Sequence, residues 1–298
     1  MEHHRHPHGH HQHSTDSIKN IRLAFFLNLG FALLEISGGI WANSVAILSD
    51  AVHDLGDSLS LGMAWFLEGV SAQERDDRFS YGYRRFSLLG ALLNALILLG
   101  GSAFVLSRAI PRLLTPEGAV PPRMILFAVL GILINGAAAL NLRENKGLNA
   151  RMISWHLLED VLGWTAVLIV AVILVFIDLP ILDPILSILI TSYIVYNVIL
   201  NMRETIEVFL QSVPGEIDVQ EIEDRIQNVQ GVLSTHHTHI WSLDGEHHVL
   251  STHIDIGPDA TREQAMEIKK KVKELLSSYQ IGHLTLEIEF GEQDCAMC

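Results

Sequence analysis

The sequence predicts a polytopic α-helical membrane protein with six transmembrane helices, followed by a small α+β domain in water. Three observations predict this class. Six apolar stretches of about 20 residues each, the length that crosses a bilayer, lie between residues 21 and 202. Of the 14 net negative charges, 10 lie from Pro214 onward, where sixteen acidic residues accompany six basic ones. The hydrophobic pattern also changes there, from continuous apolar runs to alternating ones.

The N-terminal segment, residues 1–20, is rich in histidine. It contains seven histidines and few apolar residues, a composition that cannot form a packed core, so we predict a disordered cytosolic tail. Arg5, Pro7, Gly9 and Gln12 interrupt the histidines, which argues against an ordinary expression tag. We favour the interpretation that this native segment collects metal ions with low affinity.

The membrane domain is predicted to occupy residues 21–212. Glycine, proline, asparagine or clustered charges separate its spans, and these residues commonly interrupt helices. The spans cover residues 21–41, 45–68, 86–107, 124–142, 152–177 and 181–202. Loops rich in Lys and Arg follow the second and fourth spans, so the positive-inside rule places both termini in the cytoplasm. In a bacterium, the host membrane would be the plasma (inner) membrane.

The next segment, residues 213–291, shows the mixed pattern of a small α+β domain. Helices are predicted over residues 217–229 and 261–278, and strands over 233–243, 247–256 and 284–290. Asp244-Gly245 between the first two strands is a strong hairpin signal. The predicted order is helix, strand, strand, helix, strand, with both helices on one face of the sheet. Residues 292–298 form a short C-terminal tail.

Two of the predicted membrane helices carry the same pair of ionisable residues. His53 and Asp57 lie four residues apart in the second span, and His156 and Asp160 repeat that spacing in the fifth. Four residues make about one helical turn, so each pair shares one face of its helix. Each such group in a membrane costs roughly 2.5–3.5 kcal/mol on insertion scales, so four of them indicate a functional site. Two imidazoles and two carboxylates predict a tetrahedral site for a divalent metal, zinc first.

These four donors bind a metal ion only when they are deprotonated. Because histidine titrates near neutral pH, protons compete with the metal. A site that opens alternately to the two sides of the membrane would therefore exchange metal for protons. Cadmium and cobalt are further ions that such donors accept. Asp50, three residues before His53, could orient the His53 ring or line a water-filled cavity, and the sequence leaves both roles open.

Seven histidines crowd the sequence of the α+β domain. They are His236, His237, His239, His247, His248, His253 and His283. With Glu287 and Glu289 they predict one or more zinc sites on the sheet, although any single one could be an ordinary surface residue. Cys295 and Cys298 add two thiolates with the spacing of zinc ligands, a pattern that is typical of either metal binding or redox chemistry. The acidic balance of the chain argues against nucleic acid as a partner.

Together these residues resemble the cation diffusion facilitator family of zinc transporters, from about residue 18 to the end of the chain. The stretches that carry the resemblance are Ser49-Asp50-Ala51-Val52-His53 with Asp57, Tyr81-Gly82-Tyr83 with Arg84-Arg85-Phe86, His156 with Asp160, Asp183-Pro184-Ile185-Leu186-Ser187, and His236-His237-Thr238-His239-Ile240-Trp241. The chain is most similar to the zinc-type branch, which includes bacterial zinc exporters and vertebrate vesicular zinc transporters.

The resemblance implies a homodimer in a lipid bilayer with a cytosolic, metallochaperone-like αββαβ domain. It implies a secondary transporter, not an enzyme, that exchanges cytoplasmic zinc for protons. The residues that match the family's transport site are His53, Asp57, His156 and Asp160. The residues that match its cytosolic zinc site, near the dimer interface, are His236, His253 and Glu289. Cys295 and Cys298 resemble a terminal Cys-x-x-Cys of the vesicular members, whose thiolates complete a cytosolic site.

The chain departs from the family pattern in one loop. Some bacterial members carry a further zinc site between the second and third spans, built from a carboxylate and histidines. Here that loop, residues 71–83, has Asp76 and Asp77 but no histidine, and Arg78 and Tyr83 stand where histidines are expected. We therefore expect this third site to be absent or weak.

Three other functions fit part of the pattern. An intramembrane metalloprotease would need His-Glu-x-x-His, which the chain lacks. A haem protein would leave Asp57 and Asp160 as unpaired anions beside the cofactor. A membrane zinc sensor or receptor that binds without transport shares every ligand with a transporter, so only a measurement of metal flux separates those two functions.

Overall fold

The computed structural model describes residues 11–71, 73, 75–142 and 148–291. Within the helices, the side chains of residues 11–21, 23, 64, 68, 69, 71, 141, 142 and 148–156 lie outside this description. The chain divides into two compact units. The first combines the chain up to Glu68 with Gly90–Met202, and the second combines Gly69–Leu89 with the chain from Arg203 onward.

Six long helices precede a smaller mixed region. They are α1 (His11–Ala42), α2 (Val45–Ser71), α3 (Phe86–Leu114), α4 (Pro121–Leu142), α5 (Leu148–Phe176) and α6 (Leu182–Phe209). Within the described residues, all but α2 have the length and hydropathy of membrane-spanning helices. α2 has 27 residues, enough to cross a bilayer, and it carries the three aspartates and one glutamate that lower its hydropathy. The predicted six-helix membrane architecture is confirmed.

The helix boundaries differ from the prediction mainly at the N-terminus. α1 begins at His11, ten residues before the predicted span, so residues 11–20 are helical where we predicted disorder. Those residues contain neither glycine nor proline, and extending a helix that has already formed costs less than nucleating one. Proline occupies the first residue of α4 and the first turn of α6, where its missing N–H has no helical partner to lose.

Close approach of α4 and α5 organises the core of the first unit. Trp164 of α5 is fully buried and faces Gly131 of α4. A Cβ atom on Gly131 would lie 2.3 Å from the indole ring. The absence of a side chain there lets the two helices pack at short range, as small residues do in membrane proteins.

The second unit contains two helices and a three-stranded sheet. The elements are α7 (Val219–Gln227), β1 (Ser234–Ser242), β2 (His248–Asp255), α8 (Arg262–Leu276) and β3 (Ile281–Glu289), with a 3-10 turn at Ser277–Tyr279. The central strand β2 runs antiparallel to β1 and parallel to β3. The predicted order of helix, strand, strand, helix, strand is confirmed.

Local sequence signals explain these elements. Asp218 caps α7, and Thr261 with Gln264 forms a capping box at the start of α8. Gly245 adopts the positive φ of 99° that the hairpin turn requires. β3 begins three residues before its predicted start because Gln280, with φ at 54°, turns the chain directly into the strand. Apolar residues from both helices and from the sheet share one core.

Candidate metal centres

The first candidate centre lies between α2 and α5. His53 Nε2 is 3.8 Å from Asp57 Oδ2 on the same helix and 4.0 Å from Asp160 Oδ1 on α5. Asp160 is only 8% exposed, while the other two side chains are partly exposed. The helical spacing puts His53 and Asp57 on one face, and the packing of α2 brings that face to Asp160.

Each of these two distances is close to the separation of neighbouring donors in a tetrahedral metal site, although His53, Asp57 and Asp160 are not among the described residues whose donor atoms all lie within 4.8 Å of one another. Around zinc, with bonds of about 2.0–2.2 Å, neighbouring donors lie about 3.3–3.5 Å apart. The observed 3.8 Å and 4.0 Å exceed this by about 0.5 Å, a difference that small side-chain rotations can remove. His156 lies on α5 one turn before Asp160, but its side chain is outside the described residues. Its part in the site stays a prediction.

Further acidic groups surround this centre. Asp50 and Asp54 on α2 are buried, and Glu35 on α1 is 0% exposed. Oδ1 of Asp50 lies 3.5 Å from the place where a Cβ on Gly163 of α5 would stand, so this glycine leaves room for the carboxyl. Among the buried side chains that the structure describes, none is a lysine or an arginine. The concentration of acidic groups favours a cation at this level of the membrane domain. The sequence contained a signal for Glu35, because it is the one acidic residue in the first predicted span.

The second candidate centre lies on the sheet of the second unit. His236, His253 and Glu289 offer donor atoms that all lie within 4.8 Å of one another. Nδ1 of His253 is 2.7 Å from Oε1 of Glu289, and Nε2 of His236 is 3.1 Å from Oε2 of the same carboxylate. Nε2 of His253 is 3.4 Å from Oε2 of Glu287. Two imidazoles and one carboxylate fit the donor set of a zinc ion and leave a fourth position for another ligand.

A bulge in β1 shapes this second centre. The pairing of β1 with β2 shifts register between His236 and His239, and His237 has a φ of 50°. The extra residue turns the His237 ring inward, 5.3 Å from the rings of both His236 and His253. His237 is therefore the nearest described imidazole for a fourth ligand. Sequence spacing alone did not single it out from its neighbours.

The other histidines of this domain take different positions. His239 is exposed, Nδ1 of His247 lies 2.8 Å from Asp244 Oδ2, and the ring of His283 meets that of Tyr81 at 5.2 Å. Burial lowers the pKa of His248 below its usual value. The predicted crowd of seven thus separates into one cluster and several single residues.

Two aspartates organise turns of the second unit. Partial burial opposes ionisation of Asp244, but N–H groups of His247 and Glu246 hold its pKa below the usual range. Asp244 Oδ2 also forms a salt bridge with Arg84 Nη1 at 3.6 Å. Asp76 accepts hydrogen bonds from the N–H of Phe79, the hydroxyl of Tyr83 and the N–H of Arg78, which lower its pKa. In the loop between α2 and α3, Asp76 is therefore committed to turn formation.

The predicted thiolate ligands Cys295 and Cys298 lie outside the described residues, as does the first half of the histidine-rich tail. Their role as metal ligands stays a prediction.

Comparison with known protein families covers almost the whole chain. A model described as "Cation efflux transmembrane domain" matches residues 21–210. A second model, "Cation efflux protein, cytoplasmic domain", matches residues 214–290.

Several bacterial proteins are similar over nearly their full length. A "Cadmium, cobalt and zinc/H(+)-K(+) antiporter" of Bacillus velezensis is 30% identical, over 94% of this chain and 92% of the relative. A "Zinc transporter ZitB" of Pectobacterium atrosepticum is 30% identical, over 98% and 91%. A "Metal cation efflux system protein CzcD" of Cupriavidus metallidurans is 30% identical, over 95% and 90%.

Proposed function

The chain belongs to the cation efflux family of membrane transporters, and on that premise we propose that it exports zinc from the cytosol in exchange for protons. The observation that carries the proposal is the convergence of His53, Asp57 and Asp160 between two membrane helices. Such donors inside a membrane are costly unless they serve an ion. Nitrogen with carboxylate oxygen suits zinc, and it also accepts cadmium and cobalt, the metals named for the relatives.

Proton coupling follows from the chemistry of the donors. Zinc binds neutral imidazole and ionised carboxylate, so protons and metal exclude each other from the site. On the cytosolic side, zinc displaces protons from His53 and its partners. On the other side, a higher proton concentration favours protonation and release of the metal. Alternating access thus converts a proton gradient into zinc efflux, with His156 as the fourth ligand.

The second centre is proposed as a resident zinc site in the cytosol. His236, His253 and Glu289 would hold the ion, and a bound zinc would cross-link β1, β2 and β3 in place of proton-dependent histidine–carboxylate contacts. We further propose that both termini are cytosolic and that the protein works as a homodimer through its cytoplasmic domain. Cys295 and Cys298 are proposed as additional cytosolic ligands.

Metal flux into sealed vesicles tests the proposal. Purified protein in liposomes with a zinc-sensitive dye inside should load zinc when the lumen is acidic, and the lumen should become more alkaline as zinc enters. Collapse of the pH gradient with a protonophore should slow uptake. Zinc binding without flux under either condition would identify a sensor or receptor and would refute transport.

A further inference from the structure

The start of α2 depends on a residue of another helix. The first four N–H groups of any helix lack partners within it, and a membrane offers no water to satisfy them. In α2 the third N–H, that of Ile47, donates to Ser44 Oγ at 3.2 Å, as expected for an N-cap serine. The fourth, that of Leu48, donates to the Ser44 carbonyl at 3.4 Å. The first two N–H groups need an acceptor from elsewhere.

Asp183, in the first turn of α6, supplies that acceptor. Its Oδ2 accepts the N–H of Val45 at 2.8 Å, and its Oδ1 accepts the N–H of Ala46 at 3.4 Å. Oδ1 also accepts the hydroxyl of the N-cap Ser44 at 2.5 Å. Asp183 is 1% exposed. A negative carboxylate at the positive end of the α2 dipole adds to the hydrogen bonds. This one side chain therefore caps the N-terminus of α2, although it lies more than 130 residues away in the sequence.

A second contact follows one turn further along both helices. Ser49 Oγ of α2 and Ser187 Oγ of α6 are 2.5 Å apart, and Thr191 Oγ1 donates to Ser49 Oγ at 3.2 Å. On α6 the contacting residues Asp183, Ser187 and Thr191 are spaced by four. Together they form a polar seam between α2 and α6.

The same spacing continues on α2 from the seam to the metal centre. Ser49, His53 and Asp57 follow one another at intervals of four residues, so they lie along one strip of the α2 surface. Rotation or sliding of α2 at its start would therefore displace His53 and Asp57 relative to Asp160 on α5. The polar seam, anchored at Asp183, prevents both the rotation and the sliding of α2.

We propose that Asp183 is a positioning residue for the membrane metal centre, acting through the N-terminus of α2. In the part of the chain that the structure describes, its hydrogen bonds go to Ser44, Val45 and Ala46, and none of these is a metal donor. It holds α2 in the register and rotation at which His53 and Asp57 meet Asp160. The inference rests on the proposed function, because it assigns a role toward the same zinc site.

The test uses Co²⁺ as a spectroscopic substitute for zinc in the full-length protein in detergent. Absorption bands of bound Co²⁺ that disappear in Asp57→Ala belong to the membrane centre, and their energy and intensity report its geometry. In Asp183→Ala we expect those bands to weaken and shift, with roughly tenfold to hundredfold weaker binding, as for loss of a supporting residue of a metal site. Asp183→Asn keeps one acceptor oxygen and should lie between that variant and wild type. Asp178→Ala, an exposed aspartate just before α6, is the matched control and should match wild type.

The outcomes separate this inference from the proposed function. Bands lost in Asp57→Ala but unchanged in Asp183→Ala would overturn the positioning role and leave the metal site intact. No band that depends on Asp57 would instead refute the site itself. If Asp183→Ala does not fold, Ser44→Ala is the deciding variant. It removes the hydroxyl that donates to Asp183 and that accepts from Ile47, and it leaves the N–H donors of Val45 and Ala46 on Asp183. A smaller shift of the same bands in Ser44→Ala supports the inference, and a wild-type spectrum contradicts it.

Discussion

The substitution Asp160→Asn isolates the charge of one membrane ligand. Asparagine keeps the size of the side chain and one oxygen but removes the negative charge, at a position 4.0 Å from His53 Nε2. A dication and a carboxylate oxygen at about 2.1 Å attract each other by about 16 kcal/mol at an effective dielectric constant of about 20, before desolvation is subtracted. Loss of only one sixth of that attraction, about 2.7 kcal/mol, weakens binding about a hundredfold.

The assay is zinc uptake into liposomes at a zinc concentration well below the KM of the wild type. The initial rate of Asp160→Asn should fall at least about a hundredfold, with the protein still folded by size-exclusion chromatography. Glu159→Gln is the matched control. Glu159 is the preceding residue on α5, it is exposed, and it accepts a hydrogen bond from Tyr193 at 2.9 Å. The Glu159→Gln variant should transport zinc at the wild-type rate. More than half of the wild-type rate in Asp160→Asn would refute the reasoning.

Three further predictions concern the cytosolic centre and the stability of the two units. His253→Ala should abolish one class of zinc binding in calorimetric titration, while the exposed His239→Ala should retain it; equal stoichiometry in both would contradict the assignment. Burial lowers the pKa of His248 in the folded state. Its neutral form therefore stabilises the fold fully above the unfolded-state pKa of about 6.5. That contribution is lost as pH falls through about 6.5 toward the pKa of the folded state. His248→Gln should therefore flatten the decrease in unfolding free energy between about pH 7 and 5 in urea titrations followed by tryptophan fluorescence, and an unchanged slope would argue against this role. Gly131→Ala should lower the melting temperature in detergent by overpacking against the facing indole, at a cost of about 1–3 kcal/mol, whereas Gly136→Ala, whose nearest neighbour is 4.0 Å away, should not; equal melting temperatures would refute the packing argument.

The repeated four-residue spacing predicted the part of the membrane centre that lies on one helix. Helical geometry alone puts His53 and Asp57 on one face, and an apolar setting marks them as functional. The repeat of the pair in the fifth span predicted that Asp160 would join them, and Asp160 Oδ1 lies 4.0 Å from His53 Nε2. The family resemblance, which the family models confirm, pointed to the same residues. Hydropathy likewise predicted all six helices, because continuous apolar length is a local property of the sequence.

Contacts between segments that are distant in the chain could not be predicted from local sequence patterns. Asp183 caps α2 through a contact between residues 44 and 183. No local sequence pattern predicts which helix supplies the acceptor for the first N–H groups of α2. The inward turn of His237 depends on a bulge whose position is decided by the pairing of two strands. The helical start at His11 reflects propagation from the apolar part of α1, which composition of the tail alone does not express.

The most direct test of the central claim is the anomalous scattering of zinc in crystals of the full-length protein. The account predicts a zinc peak between α2 and α5, within about 2.0–2.2 Å of His53 Nε2 and of carboxylate oxygens from Asp57 and Asp160. A zinc-loaded, transport-competent protein with no peak between those two helices would contradict it.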